Sequence, residues 1–330
     1  MNTSQKLHNI LVSVAVADAL GSDIEFNPNP TQRTWLAGVN GTHPLRVTDD
    51  TQMSLFTAEA LLRGYKPTAF QEAYLNWYRT QVARAPQPSN YSLMQECSLY
   101  RQEAPGNTCM QSLRELYRDK RRMPNDSKGN GTVMRCFPLV PFVTADNLED
   151  LVSDCVYSTH DHLNAFWATK IAVLIGKGLS ARVSLQKLLD LYGKHLYLMG
   201  LKHPRDVAHA SQYGGGWVAE EALGIALWAM WNGKGNWLTT VELAVVHPGD
   251  SDTTGAVAGG FLGCMGVLPP VELQSRLKAL GVIQRLLARY PQDEDEKTIP
   301  VGKRKRDRTI DWGWYTAPQA NGSITHQSPI

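Results

Sequence analysis

Apolar positions along this chain recur every three to four residues instead of alternating. The pattern predicts helices over residues 5–20, 51–63, 69–80, 107–121, 147–157, 163–178, 184–198, 218–231, 238–246, 253–266 and 271–289. No stretch carries a convincing strand pattern, so the fold class expected is all-α. Breaks at Asn27-Pro28-Asn29-Pro30, Pro86 to Pro88, Gly129-Asn130-Gly131 and Gly214-Gly215-Gly216 read as connections between helices and not as linkers between domains. Residues 1–290 are therefore expected to form one compact domain. From Pro291 to residue 330 the period is lost: Asp293 to Lys297 is acidic, Lys303 to Arg308 is basic, and the stretch reads as a polar tail outside the core, with Trp312, Trp314 and Tyr315 as local anchors.

Composition changes this picture little. With 43% hydrophobic residues among 330, a sizeable core is affordable, and 33 basic against 31 acidic residues give no field to attract nucleic acid or an anionic membrane. The cysteines Cys97, Cys109, Cys136, Cys155 and Cys264 form no C-x-x-C pair, so neither a disulfide framework nor a thiolate zinc site is suggested and a cytoplasmic location fits. Lys6 followed by the run Ile10 to Ala17 imitates a short secretory signal, but Asp18 and Gly21 fit a continuing helix better.

The chemistry is concentrated at two helix starts. Thr48-Asp49-Asp50-Thr51 opens one, and Asp250, Asp252, Thr253 and Thr254 open another about two hundred residues later. Helix capping accounts for either cluster alone, since threonine and aspartate satisfy the first backbone N–H groups and acids complement the dipole. The repetition suggests more. Four carboxylates flanked by hydroxyls form a hard oxygen set suited to Mg²⁺ or Mn²⁺, and their convergence without a cation would raise their pKa values. Asp250 and Asp252, two residues apart, face a common centre only if the backbone bends there. Gly255, Ala256, Ala258, Gly259 and Gly260 predict another helix packed closely on the second one.

In chain order, “ADALGSDIEF”, “TDDT”, “GNGTVMR”, “STHDH”, “GGGWVAEEALGIALW” and “GDSDTTGAVAG” resemble motifs of the ADP-ribosylglycohydrolases, the family of dinitrogenase reductase-activating glycohydrolase and the ADP-ribosyl-acceptor hydrolases. The resemblance runs from about residue 8 to residue 290. It implies a single multi-helix domain with a two-magnesium cleft that removes ADP-ribose from a modified protein side chain. Thr48, Asp49 and Asp50 match the first metal motif, and Asp250, Asp252 and Thr253 the second. Glu25 matches a glutamate beside the scissile bond; with Asp50 and Asp252 it is the expected catalytic group. Ala17 stands where the family has glycine.

Other motifs have readings of their own. Gly129-Asn130-Gly131-Thr132 is either a diphosphate cradle or a plain turn. Tyr213 and Trp217 around Gly214-Gly215-Gly216 either offer a ribose a close backbone and a stacking ring, or mark an interhelical loop beside core aromatics. By analogy with the family His160 is a substrate contact, whereas capping is the ordinary fate of His160 and His162. ADP-ribosylated protein is the implied partner and ADP-ribose the product. The alternative is an immunity or binding protein that neutralises an ADP-ribosyltransferase toxin by contact, with or without hydrolysis, motivated by the tail and by Ala17.

Overall fold

The computed structural model describes residues 1–291; the predicted tail, apart from Pro291, lies outside the described residues. The helices are α1 (Thr3–Ser22), α2 (Gln32–Asn40), α3 (Asp49–Leu62), α4 (Ala69–Val82), α5 (Asn107–Asp119), α6 (Leu148–Tyr157), α7 (Leu163–Ser180), α8 (Leu185–Leu198), α9 (Ala219–Gly233), α10 (Trp237–Val245), α11 (Ser251–Met265), α12 (Val271–Arg276) and α13 (Leu280–Arg289). Short 3₁₀ turns join several of them, and the described residues contain no strand longer than an isolated bridge. None of these helices is long and apolar enough to cross a membrane.

The centre of the fold is the pair α1 and α11, both buried on all sides. The run that imitated a signal sequence is thus core. The two helices meet backbone to backbone. A Cβ added at Gly255 would stand 2.8 Å from the Ala17 carbonyl oxygen, one at Gly259 would stand 2.5 Å from that of Ser13, and one at Gly263 would stand 2.6 Å from the Ile10 Cα. Glycine at every fourth position gives one helix face with no side chains, and α1 lies in that groove. At the other end Gly21 of α1 returns the contact, since a Cβ there would stand 2.3 Å from the Ser251 carbonyl oxygen. The close-packed partner expected for α11 is therefore α1. The Ala17 methyl group is fully buried opposite Gly259, so the departure from the family's glycine is accommodated in this interface.

Two elements differ from the sequence expectation. Helix α2 was not predicted. It is short, buries only Trp35 and Gly38, and starts from a reciprocal Thr31–Thr34 capping box instead of one completed by Glu or Gln. The single helix expected over 271–289 divides into α12 and α13 because Leu277 turns extended and pairs with Leu45. The Leu45 N–H donates to the Arg276 carbonyl (2.9 Å), and the Lys278 N–H donates to the Leu45 carbonyl (3.1 Å). A tertiary pairing overrides the local helical period there.

Candidate active site

Helices α1, α3 and α11 deliver their polar ends to one cleft of ≈ 670 Å³. Thr48 is the N-cap of α3, and its hydroxyl oxygen accepts from the Asp50 N–H (3.3 Å). Asp250 is the N-cap of α11, accepting from the Thr253 N–H (3.3 Å). Capping is therefore present at both clusters. The geometry then goes beyond capping. Glu25, Asp250 and Asp252 each bring a carboxylate oxygen within 4.8 Å of the others. Asp50 lies beside the same group, where the Thr253 side chain favours its charged form. The bend that turns Asp250 and Asp252 together follows Gly249, at φ 150°, where the Asp250 N–H donates to the Gly215 carbonyl (2.8 Å).

The sequence reading missed Asp18. This fully buried carboxylate on α1 accepts from the Thr48 N–H (3.1 Å), the Thr48 hydroxyl (2.8 Å), the Thr51 N–H (3.2 Å) and the Thr51 hydroxyl. It locks the start of α3 to the end of α1 and so fixes where Asp49 and Asp50 point. Its signal was its place in “ADALGSDIEF”, which the helical period of α1 absorbed.

Electrostatically the cluster is unbalanced. Among the described residues, none of Asp18, Glu25, Asp49, Asp50, Asp250 and Asp252 forms an ion pair with a basic side chain. Burial first, and then the neighbouring Asp250, pushes Glu25 up to about 7. Burial raises Asp18 to about 6, against the pull of its threonine donors. Asp49, Asp50 and Asp252 are also driven well above the usual carboxylate range, by burial first and by adjacent carboxylates, at Asp49 against the pull of the Gly106 N–H. Among the described residues the Asp49 carboxylate accepts from the Gly106 N–H (3.1 Å), while Asp50 Oδ1 is buried with no hydrogen-bond partner. An orphaned oxygen in a set of hard, uncompensated oxygens fits a divalent cation, which would supply the missing partner and reverse the repulsion.

The remaining expected residues divide. Gly129, Asn130, Gly131, His160 and Trp217 line the cleft with Glu25, Asp49, Asp50, Asp250, Asp252 and Thr253. Thr132, Tyr213, Gly214, Gly215 and Gly216 do not. Thr132 is buried, its hydroxyl donating to the Ala165 carbonyl (3.3 Å) and accepting from Thr169 (2.9 Å). Tyr213 is a core aromatic whose hydroxyl donates to the Lys202 carbonyl (2.9 Å). The Gly215 and Gly216 N–H groups are held by the Glu221 carboxylate (3.2 and 3.1 Å) and so are not offered to a ribose. The glycine run instead supports the second acidic cluster. Asn130 Nδ2 donates to both the Gly216 carbonyl and Asp250 Oδ2, each at 2.7 Å, which turns the Asn130 amide away from a diphosphate cradle and toward Asp250. Gly129 and Gly131 leave room for the His160 ring: a Cβ at Gly129 would stand 3.1 Å from Nε2, and one at Gly131 would stand 3.2 Å from Cε1. His162 caps α7, accepting from the Asn164 N–H (2.9 Å). At the mouth Phe26, held at φ 64°, and half-exposed Trp217 bring their rings to 6.4 Å.

Burial, and then the Arg135 charge, depress His160 to about 3, so it is neutral in the folded protein at physiological pH. The unfolded chain takes up this proton near pH 6.5, so the folded state binds fewer protons between about 3 and 6.5 and stability is lost as pH falls through that window. Relative to His160→Gln, the wild type should lose up to about 1.4 kcal/mol per pH unit there. Urea unfolding of both proteins at pH 7 and pH 5 measures it; parallel losses would refute the buried neutral imidazole.

A solved structure described as an ADP-ribosylglycohydrolase-related protein complex has a similar fold, with a TM-score of 0.61 at 23% identity over 86% of this chain and 96% of that chain. A search of the curated proteins found no match. The family model for ADP-ribosylglycohydrolase matches residues 1–295, and a chain matched over nearly its whole length, with this helical core, belongs to the ADP-ribosylglycohydrolase family and is a hydrolase of that type.

Proposed function

We propose that this chain hydrolyses the bond between ADP-ribose and a modified protein side chain, with two magnesium ions held by the converging carboxylates. The observation that carries the reading is the buried acid cluster with no basic partner and an orphaned Asp50 Oδ1. Asp49 and Asp50 from α3, and Asp250 and Asp252 from α11, would hold the ions, with the hydroxyls of Thr48 and Thr253 beside them. When bound, such ions supply positive charge that orients ribose hydroxyls and a water. Manganese fits the same oxygen set.

The chain's own groups account for the rest. Cleaving a glycosidic bond develops oxocarbenium character at the ribose carbon and requires proton transfer at water or leaving group. Glu25 lines the cleft within 4.8 Å of Asp250 and Asp252 and is placed to make that transfer. A cleft of ≈ 670 Å³ falls within the ~300–1,000 Å³ range of ligand pockets and suits a nucleotide sugar. Phe26 and Trp217 supply apolar walls at its mouth.

The test incubates the full chain with Mg²⁺ and with proteins ADP-ribosylated on arginine, serine or asparagine, and follows free ADP-ribose. Release from one acceptor, abolished by a chelator and restored by Mg²⁺ or Mn²⁺, is the expected result. Undiminished release in chelator would overturn the metal assignment, and no release from any acceptor would overturn the substrate assignment. Mg²⁺ should also raise the melting temperature of the chelated protein, because a ligand that binds only the folded state stabilises it.

A further inference from the structure

Arg135 is a fully buried guanidinium that forms no ion pair with a carboxylate among the described residues. Nη2 donates to the Cys155 carbonyl (2.9 Å) and to Thr159 Oγ1 (2.7 Å). Nη1 faces Cys109 Sγ (3.4 Å) and Met53 Sδ (3.7 Å), and the group stacks 4.2 Å over the Tyr74 ring. Nε has no partner. A buried cation held by neutral groups alone is costly, and the hydrogen bonds it makes are of the strong, charge-assisted kind. One of them leads to the cleft. Thr159 Oγ1 lies 2.8 Å from His160 Nδ1, and the opposite ring nitrogen, Nε2, stands beside Gly129 on the cleft wall.

The donor count along this chain has one best solution. Arginine can only donate, so Thr159 Oγ1 accepts from it and its single hydrogen is left to give. The acceptors within its reach are His160 Nδ1 and Cys109 Sγ. The sulfur is the weaker acceptor and already takes a hydrogen from Arg135 Nη1. The hydroxyl therefore gives its hydrogen to Nδ1, and a neutral imidazole that accepts at Nδ1 carries its proton at Nε2.

We infer that Arg135 and Thr159 are positioning residues that hold His160 in the Nε2–H tautomer, so that the cleft wall presents a fixed, uncharged hydrogen-bond donor to an oxygen of the bound ligand. The identity of that ligand as ADP-ribose rests on the function proposed above; the tautomer does not. The depressed His160 pKa agrees, since protonation would place a second cation next to Arg135. The opposite tautomer would turn a bare lone pair toward the ligand oxygen and leave two acceptors facing each other.

Protein labelled with ¹⁵N-histidine tests this, with the His160→Gln variant assigning the resonance. The wild type should show a protonated Nε2 and an unprotonated Nδ1, unchanged from pH 5 to pH 8. Thr159→Val keeps the shape and removes the hydroxyl. It should alter the Nδ1 shift or mix the tautomers, and weaken ADP-ribose by about tenfold with the fold intact. Thr159→Ser should restore both. A protonated Nδ1 in the wild type would overturn the proposal, as would a Thr159→Val spectrum and affinity identical to wild type. A wild-type protein that showed the Nε2–H tautomer but did not bind ADP-ribose would support the positioning role while removing ADP-ribose as the ligand.

Discussion

Asp50→Asn should yield a folded, helical protein that releases ADP-ribose at least about 10²–10³-fold more slowly, the scale on which loss of one electrostatic contact with reacting atoms is felt. In the absence of metal the same variant should melt higher than the wild type. The asparagine amide fits the space of the carboxylate and keeps a partner at Thr48, but removes a buried charge that Asp49, Asp18 and Asp250 all oppose. Loss of an acid from the first turn of α3 costs about 0.3–1 kcal/mol through the helix dipole, and relief of burial and repulsion outweighs this. A gain of roughly 2 °C or more is expected. Asp252→Asn should behave alike. If the acids only capped their helices, the substitutions would lower the melting temperature and spare turnover. Melting curves with chelator and with Mg²⁺, read beside ADP-ribose release, separate the two, and the Mg²⁺ stabilisation expected of the wild type should shrink in both variants.

Gly259→Val should prevent the fold altogether. Even the first carbon of the new side chain would stand 2.5 Å from the Ser13 carbonyl oxygen and 2.8 Å from the Ala17 Cβ. The clashing atoms belong to the middle of a buried helix, so no side-chain rotation relieves them and α1 must move as a body. Overpacking into a core that can adjust costs about 1–3 kcal/mol, and this site cannot adjust, so a penalty above about 5 kcal/mol is expected. The soluble yield and the far-UV melting curve report the result. Gly193→Ala is the control: nothing lies within 4 Å of the new methyl group on α8, and helix propensity predicts a gain of about 0.5–1 kcal/mol. A soluble, cooperatively melting Gly259→Val protein would show that the interface between α1 and α11 is looser than described.

The division between what the chain announced and what it concealed follows the range of the interactions. Helices that bury a broad apolar face, such as α7 and α9, were legible because periodicity is a local property. Helix α2 was not, because its two buried residues make no stripe, and the break at Leu277 was not, because Leu45 makes it from more than two hundred residues away. The same holds at the site. Asp49, Asp50, Asp250 and Asp252 stood out as clusters at helix starts. Asp18 was hidden inside the pattern of α1, since nothing local distinguishes an acid that caps a distant helix. Gly129 and Gly131, assigned to a ligand, do line the cleft and also make room for His160, whereas Gly214 to Gly216 lie off the cleft and brace Asp250.

The pairing of α1 with α11 also bears on how the chain is made. α1 ends at Ser22 and α11 begins at Ser251, so on a ribosome adding about 5–20 residues per second the first helix waits roughly 10 to 50 s for its partner. During that interval Ile10 to Leu20, apolar except at Ser13 and Asp18, has no mate of its own shape. The loop to be closed is long, and contacts of such sequence separation form late. Asp18 and Glu25 meet Asp250 and Asp252 only when this closure is complete, so the acid cluster assembles only after α11 has been made, and a nascent chain halted before α11 would carry a sticky helix and no site. Chaperone capture of α1 in stalled chains, released once residue 265 has cleared the exit tunnel, would be the cellular trace of a glycine stripe.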